Sequence, residues 1–372
     1  MTTTRHAASR LARIAWPVVG WILGAKGMVL LFGLIAVPTL SGKWHGWWAT
    51  WDRWDALRYL QVAREGYVAT GEARFNLVGL PLFPWLVRAV SWLGLNVSLS
   101  AFLVSGLASI IAGLLLFELV RADEGEEIGR YAVWFLFIYP TSYFLHIAYT
   151  EATLLALTLG CFVAARRQRW WLAGVLGGLA SLSRWHGLIL LPSIALEAWE
   201  QFRLTRRFDK RWLWLGLIPC GFAIYVWVNY TVTGDPLAFT KLMGDHFYRK
   251  LAPPWGGLRS LWDSFYEGDL EYVMMTGVAE AFFTLLAIGL TVWSWFALRA
   301  SYSVWMTVNL LLFLCSSFIQ AVPRYTLVMF PIFILFARAA KGRPLCFAMI
   351  SMPSLLLLAL FLSKFVLGHW AF

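Results

Sequence analysis

Two aspartates, Asp52 and Asp55, lie in a tryptophan-rich polar stretch after the first long apolar run of the chain. If this stretch is helical, side chains three residues apart face the same way. The neighbouring indoles would partly desolvate both carboxylates, which raises a carboxyl pKa toward neutrality. We therefore expect this pair to supply a general base. Simple ion pairing with Arg53, Arg58 or Lys43 on a solvated helix explains the pattern equally well.

Isolated arginines are the second group of residues that could take part in binding or catalysis. Arg184 and Arg324 each interrupt an apolar run, and charge within a membrane segment is costly and commonly functional. Such a guanidinium either clamps a phosphate with its fork of donors or snorkels to the membrane surface. Glu151 opens another apolar segment, and we expect it to pair with a cation such as Arg184, although a boundary charge in headgroup water is the alternative.

The polar loop over residues 235–275 begins with turn residues and continues with cations beside aromatic rings. Arg249 and Lys250 in this loop are candidates for binding an anionic headgroup, whereas an amphipathic surface helix would give the same pattern. His45, His186 and His246 lack metal-ligand spacing and are interpreted as structural. No metal site is predicted from the histidines.

The composition indicates a polytopic membrane protein. Of the 372 residues, 60% are hydrophobic and only 14% are charged, with a mean hydropathy of +0.66, unlike a soluble domain. The net charge is +11, but the cations cluster in short loops between apolar runs, where the positive-inside rule explains them. Nucleic acid is therefore excluded as a partner. The four cysteines predict neither a disulfide framework nor a zinc site.

Apolar runs predict an all-α fold of about eleven transmembrane helices in a single domain over residues 1–372. Several of the runs are shorter than the ~20 residues that a straight span needs. The runs lie near 16–40, 98–120, 131–148, 150–165, 170–184, 187–199, 212–234, 276–298, 304–321, 325–340 and 346–368.

Residues 77–95 are apolar enough for a further crossing, but the distribution of positive charge argues against one. Without that crossing, the basic segments 166–169, 203–211 and 338–343 all fall on the side of the N-terminus, which is expected in the cytoplasm. Two prolines and a central arginine favour an interfacial helix in 77–95 instead.

The same topology places the polar interruptions of the chain together on the outer side. The loops 41–97 and 235–275 fall there, with the segments around Glu151, Arg184 and Arg324. The sequence therefore predicts an outward-facing site assembled from scattered loops.

Several short motifs follow one another along the chain. They are Arg53-Trp54-Asp55-Ala56, Ala63, Gly66-Tyr67, Pro81-Leu82-Phe83-Pro84, Tyr149-Thr150-Glu151, Ser-Arg-x-x-Gly at 183–187, Gly234-Asp235-Pro236 with Phe239, and Pro323-Arg324-Tyr325. In this order they resemble the PIG-V-type mannosyltransferases of the GT-C superfamily of polytopic membrane glycosyltransferases. Each motif is short, and their shared order over roughly residues 50–331 makes the resemblance specific.

The resemblance implies a GT-C-like helix bundle, an active site outside the cytoplasm, and a sugar donor carried on a polyprenyl or dolichyl monophosphate. The acidic residue of the family's first loop falls on Asp55, and Asp52 is an extra carboxylate outside the pattern. Trp185 and His186 stand where relatives more often have small or polar residues, which leaves the sugar and the acceptor open.

In this interpretation Asp55 deprotonates an acceptor hydroxyl, and a single displacement inverts the anomeric configuration. Glu151 orients one of the cations. No cofactor is expected and a metal is not required, although Asp52 and Asp55 together could hold a divalent cation. Binding of the donor phosphate is assigned to Arg184, Arg324, Arg249 and Lys250, and supporting positions are Tyr149, His186, Trp54, Tyr67, Asp235 and Tyr325.

The predicted acceptor is a hydroxyl of a glycolipid, a protein or a wall polymer. The compact chain and its short loops favour a bacterial plasma membrane. A multi-pass transporter or flippase is the first alternative, but no second copy of the Trp-Asp loop is found as internal repeats would require. A non-catalytic subunit of a glycosyltransferase complex is the second alternative, and the presence of Asp55 argues against it.

Overall fold

The computed structural model describes the backbone of residues 2–44 and 46–372 and the side chains from residue 16 onward within those ranges, so His45 lies outside the described residues. The described chain is helical, and its β-type pairing consists of an isolated antiparallel bridge between Leu251 and Ser316. The α-helices are α1 (Thr2–Ser41), α2 (Trp47–Trp51), α3 (Asp55–Glu65), α4 (Leu82–Ser91), α5 (Val97–Glu124), α6 (Glu126–Phe137), α7 (Glu151–Arg166), α8 (Trp170–Ser183), α9 (Leu190–Thr205), α10 (Leu217–Thr233), α11 (Ala238–His246), α12 (Pro254–Asp263), α13 (Leu270–Tyr272), α14 (Glu280–Ala297), α15 (Ala300–Leu314), α16 (Val322–Leu327), α17 (Pro331–Ala340) and α18 (Pro344–Leu367). Shorter 3₁₀ segments cover Glu72–Val78, Ser142–Leu145, Trp185–Ile189 and Lys210–Gly216, and a π-helical segment covers Val273–Ala279.

The all-α, integral membrane character predicted from composition is confirmed. Among the described residues, five helical stretches are long and apolar enough to cross a membrane. Each of the other six predicted runs also contains a helix, but these helices have only 10 to 16 residues, shorter than a straight span. About eleven crossings therefore stays a prediction. The five long stretches are Trp16–Ser41, Val97–Glu124, Lys210–Thr233, Leu270–Ala297 and Pro344–Leu367.

Two predicted helices end earlier than their apolar runs. The helix predicted over 131–148 stops at Phe137, because the residue before Pro140 is disfavoured in the α conformation. The helix predicted over 304–321 stops at Leu314. Beyond it, the carbonyl of Cys315 accepts a 3.0 Å hydrogen bond from the amide of Ala252, so tertiary pairing replaces the helical bond.

The run predicted over 325–340 is also divided. Its first residues belong to the short helix α16, and Pro331 starts α17. Proline suits the first turn of a helix because it has no amide hydrogen to satisfy there. The division separates the Arg324 segment from the apolar helix that follows it.

Residues 77–95 form one short helix, α4, rather than a full-length span. Arg88 of α4 donates from Nε to the carbonyl of Ala63 at 2.7 Å and from Nη2 to that of Val62 at 3.2 Å. Both carbonyls lie in the last turn of α3, where helical acceptors run out of amide partners; that of Val62 also accepts from the amide of Gly66 at 2.9 Å. The arginine thus fixes α4 to α3, while the position of α4 at the membrane surface stays a prediction.

Helix α7 is the central element, buried along nearly its whole length. Glu151 and Arg166 are the first and last residues of α7, which separates them by about 22 Å at 1.5 Å per residue. Around Arg166 lies a second group of charged residues, which we call the distal cluster. It contains Asp123, Arg166, Glu197, Glu200 and Arg299. The predicted outer residues and the basic 166–169 segment thus lie at opposite ends of the bundle.

Candidate functional site

The stretch that carries the two aspartates is not one helix. Helix α2 ends at Trp51, Trp54 has φ +54°, and α3 begins at Asp55. A positive φ is uncommon outside glycine and interrupts the helix. Asp55 therefore lines a cavity of about 780 Å³, whereas Asp52 lines a separate and shallower one. The expectation that the two carboxylates share one helical face is wrong.

Asp52 connects two helices. Its Oδ2 accepts a 2.5 Å hydrogen bond from the hydroxyl of Ser98, near the start of α5. Burial raises the pKa of Asp52, against the opposing effects of this hydrogen bond and of the charge of Arg64. Because Asp52 and Asp55 face different cavities, they do not form the pair that could hold a divalent cation. Among the described side chains, no group of three or more His, Cys, Asp or Glu residues is arranged to bind a metal.

The larger cavity, which we call the arginine cavity, collects residues from five separated parts of the chain, within 54–84, 183–186, 243–249, 320–325 and 370–372. Four arginines and two carboxylates line it, so its charge is predominantly positive. Aromatic rings make up much of the remaining wall. The charged residues are Asp55, Arg58, Glu72, Arg184, Arg249 and Arg324, and the rings include those of Trp54, Tyr59, Tyr67, Phe75, Trp185, Phe247, Tyr325 and Trp370.

Asp55 is held among guanidinium groups. Its Oδ2 accepts a 2.8 Å hydrogen bond from Nη1 of Arg324, and its side chain is 38% exposed. Burial raises the pKa of this carboxyl, but the charges of three arginines (Arg324, Arg184 and Arg58) outweigh burial and hold the pKa below its ordinary value. The expected rise toward neutrality is therefore wrong for Asp55. Within the described hydrogen bonds, its Oδ1 has no protein donor.

Arg324 joins Asp55 to the carboxylate of Glu151, which lies behind the cavity wall. Besides its bond to Asp55, it donates from Nε to Oε1 of Glu151 at 2.5 Å. Its guanidinium carbon lies 5.2 Å and 5.0 Å from the ring centroids of Phe144 and Tyr149. These ring faces attract the cation, and a planar fork can serve two acceptors in fixed directions. Arg324 is consequently buried and rigidly placed.

Glu151 is the fully buried counter-ion of the site. Its Oε1 also accepts a 2.5 Å hydrogen bond from Nη1 of Arg184, which reaches Thr150 Oγ1 at 2.8 Å as well. A carboxylate without a partner at the start of a central helix would be costly. The two arginines offset part of that cost through their bonds to Oε1, and Glu151 fixes both of them.

Arg184 is presented by a tight fold of the backbone after α8. A Cβ atom at Gly187 would lie 2.1 Å from the backbone carbon of Ala180 and the amide nitrogen of Ser181. Only glycine permits this close approach. The chain then turns through Trp185–Ile189, and the guanidinium of Arg184 is left facing the cavity.

The two neighbouring cations of the outer loop have different surroundings. Arg249 lines the arginine cavity and donates to the hydroxyl of Tyr325 at 2.6 Å and to the carbonyl of Gln320 at 3.2 Å. Lys250 is exposed and does not line the cavity; its backbone amide bonds to Ser317. The structure therefore places Arg249, but not Lys250, in the cavity that Asp55 lines.

Four of the predicted supporting residues line the arginine cavity. They are His186, Trp54, Tyr67 and Tyr325.

Tyr149 and Asp235 lie outside that wall. Tyr149 packs behind Arg324 and donates a 3.1 Å hydrogen bond to the carbonyl of Arg53. Asp235 accepts from the amide of Leu237 and from Lys241, at 2.9 and 2.8 Å, which fixes the turn before α11.

Arg58 and His246 belong to the cavity but were not predicted as site residues. Arg58 lies one helical turn after Asp55, and its Nη2 is 3.4 Å from Nε2 of His246. The His246 ring stacks on Phe75 with centroids 3.8 Å apart. The i,i+3 spacing from Asp55 was the available signal for Arg58. Nothing local indicated His246, because its neighbours come from another loop.

The stability contributed by Asp55 should be lost only in acid. Because its folded-state pKa lies below the ordinary value of 3.8, the contribution is complete above pH 3.8 and disappears as the pH falls through the lower value. The difference in melting temperature between the parent and Asp55→Asn should be constant from about pH 7 to about pH 5 and shrink only further into acid. A difference that already shrinks between those two values would contradict the lowered pKa.

Comparisons with known proteins give one family match and several similar structures. The family model described as dolichyl-phosphate-mannose-protein mannosyltransferase matches residues 79–230, less than half of the chain, including Glu151 and Arg184. No curated protein matches the chain.

Among solved structures, the chain is similar to an Archaeoglobus fulgidus oligosaccharyltransferase crystallised with zinc and sulfate, at 13% identity and a TM-score of 0.48, covering 90% of this chain and 53% of that chain. The chain is also similar to AglB of the same organism, in complex with an inhibitory peptide and a dolichol-phosphate, at 13% identity and a TM-score of 0.48, covering 92% of this chain and 56% of that chain. Similarity to ArnT from Cupriavidus metallidurans bound to undecaprenyl phosphate has 15% identity and a TM-score of 0.45, covering 94% of this chain and 78% of that chain. The chain thus spans about half the length of the archaeal chains.

Proposed function

We propose that the chain is a membrane glycosyltransferase of the GT-C type, which moves a sugar from a polyprenyl- or dolichyl-phosphate donor to a hydroxyl acceptor. The observation that carries this proposal is the arginine cavity, where an ionised Asp55 faces several guanidinium groups. The similarity of residues 79–230 to a mannosyltransferase family model supports it. That similarity and the motif order also favour mannose as the sugar.

The donor phosphate is proposed to bind between Arg184 and Arg249. Each of these arginines uses only part of its donor fork on protein acceptors, so N–H groups are available for phosphate oxygens. Arg58 adds a third cation to the lining of the cavity. A phosphate leaving group gains charge as the sugar departs, and fixed cations stabilise that charge most in the transition state.

Asp55 is proposed to act as the general base. Its free Oδ1 takes the proton of the acceptor hydroxyl, and the acceptor oxygen forms a bond to the anomeric carbon of the sugar. The bond from that carbon to the phosphate oxygen breaks, and its electron pair leaves on the polyprenyl phosphate. A single in-line displacement of this kind inverts the anomeric configuration.

The low pKa of Asp55 fits this role because the donor changes its surroundings. In the protein alone, three arginines stabilise the carboxylate. A bound phosphate shares the same cations, so their effect on Asp55 weakens and its proton affinity rises. The base thus becomes stronger when the donor is in place, and Glu151 keeps Arg324 and Arg184 oriented throughout.

The aromatic wall is proposed to bind the sugar and the acceptor. Rings with polar edges suit the alternating polar and apolar surfaces of sugars. Trp54 packs edge-to-face on Trp370 with ring centroids 5.7 Å apart, and this contact fixes the position of the Trp54 ring in the cavity wall. The acceptor is proposed to be a glycolipid, protein or polymer hydroxyl, and the cavity to open on the outer face of a bacterial plasma membrane.

The test is sugar transfer by purified protein in lipid vesicles, using radiolabelled polyprenyl-phosphate mannose and a crude acceptor extract. We expect the label to appear in a new product with inverted anomeric configuration. If no label is transferred from mannose, glucose or other polyprenyl-phosphate sugars, but the labelled lipid crosses the vesicle bilayer, the transporter alternative replaces this proposal.

A further inference from the structure

Glu280, the first residue of α14, is a second fully buried carboxylate in the described chain near the arginine cavity. It lies in the stretch Leu270–Ala297, which is long and apolar enough to span a membrane. Its Oε1 accepts from the amide of Ala321 at 2.5 Å and its Oε2 from that of Val322 at 2.8 Å. Both oxygens therefore end on consecutive amides at the start of α16.

Such a carboxylate is expensive in an apolar segment and usually serves a function. The backbone around it is also unusual, because the π-helical segment Val273–Ala279 comes immediately before Glu280. π-Helical turns occur frequently at functional sites. The wider turn changes the direction in which the following residues point, and Glu280 points at α16.

The segment that Glu280 holds has little stability of its own. Helix α16 has six residues, too few to be stable without tertiary contacts. Ala321, just before it, has φ +66°, which a residue with a side chain adopts only when its surroundings impose it. Pro323 contributes no amide hydrogen to the first turn. The carboxylate of Glu280 supplies the partners that the first turn of a helix lacks.

We propose that Glu280 is a positioning residue, which fixes the first turn of α16 so that Arg324 meets both Asp55 and Glu151. Arg324 follows Val322 by two residues, and its fork must reach two acceptors at once. The same segment carries both partners of Arg249, the carbonyl of Gln320 and the hydroxyl of Tyr325. Glu280 thus sets the placement of Arg324, which orients Asp55, and of the phosphate-binding Arg249, and this inference rests on the function proposed for the cavity.

Glu280→Gln is the discriminating variant. It keeps one carbonyl oxygen but places an amide NH₂ against a backbone N–H, so one of the two hydrogen bonds is lost. Glu197→Gln is the matched control, because Glu197 is also buried in the bundle and accepts a 2.5 Å bond from Ser301 in the distal cluster. Both variants remove one buried carboxylate, and only Glu280 contacts α16.

Two measurements separate positioning from a general effect on folding. Hydrogen exchange should be faster by about tenfold in peptides covering 318–328 of Glu280→Gln and unchanged there in Glu197→Gln. Binding of polyprenyl phosphate, followed by tryptophan fluorescence, should weaken by about tenfold in Glu280→Gln and stay near the parent value in Glu197→Gln. In an Arg324→Lys background, Glu280→Gln should weaken binding much less, because coupled residues are not additive.

Two results would overturn the inference. One is unchanged hydrogen exchange over 318–328 in a folded Glu280→Gln. The other is an equal loss of affinity for polyprenyl phosphate when Glu280→Gln is made in the parent and in Arg324→Lys. If Glu280→Gln does not fold, Glu280→Asp keeps both oxygens on a side chain one methylene shorter, and the same exchange pattern is expected to a smaller extent. If the parent itself binds no polyprenyl phosphate, the proposed function fails, and the exchange measurement alone then decides the role of Glu280.

Discussion

Replacing Asp55 by asparagine is expected to lower the rate of sugar transfer by about 10²- to 10⁴-fold, which is the usual contribution of a general base. The amide has the same shape, and its oxygen can still accept from Nη1 of Arg324. It cannot take the proton of an acceptor hydroxyl. Because a negative charge beside the phosphate site is removed, affinity for polyprenyl phosphate should stay equal or increase. The loss should therefore appear in kcat and not in donor binding.

Asp52→Asn is the matched control for this prediction. Asp52 lies three residues away in the same loop, but it faces another cavity and bonds to Ser98. Transfer by this variant should remain within about threefold of the parent, as for substitutions outside the reacting groups. An active Asp55→Asn together with an inactive, folded Asp52→Asn would reverse the assignment of the base.

Arg324→Lys is expected to lower transfer by at least about 10²-fold, although the positive charge is kept. The guanidinium reaches Glu151 through Nε and Asp55 through Nη1. A lysine ammonium is a single point charge at the end of a flexible chain, and it cannot hold two acceptors in these directions. Asp55 should therefore be less well oriented, which lowers kcat, and the donor should bind more weakly, which raises KM.

Arg299→Lys is the control for that substitution. Arg299 also lies beside two carboxylates, with Nη1 3.2 Å from Glu200 and Nε 3.5 Å from Asp123, but it belongs to the distal cluster. Its replacement by lysine should change the melting temperature and leave KM for the donor unaltered. If Arg324→Lys also changes only the melting temperature, Arg324 has a structural role alone.

The positions of the helices follow from the apolar runs, because burial in lipid or protein requires continuous apolar sequence. Their ends do not follow in the same way. The early end at Leu314 depends on pairing of Cys315 with Ala252, a contact between residues far apart in the sequence. No local pattern contains that information.

The meeting of Glu151, Arg184 and Arg324 could be anticipated from the sequence, since isolated charges in apolar runs need partners. The separation of Asp52 from Asp55 could not, because it depends on one positive φ angle at Trp54. The direction of the Asp55 pKa shift depends on how many arginines converge, which only the fold determines. Glu280 offered the same signal as Arg184, a lone charge in an apolar run, but its partners are backbone amides without any sequence pattern.

The central claim is that the arginine cavity binds the phosphate of a polyprenyl-phosphate sugar next to Asp55. The most direct measurement is an experimental structure of the protein in lipid with bound polyprenyl phosphate. We predict the phosphate between Arg184 and Arg249, within hydrogen-bond distance of both guanidinium groups, with the lipid chain leaving toward the membrane. A phosphate bound elsewhere, with the cavity around Asp55 and Arg324 unchanged, would contradict the account.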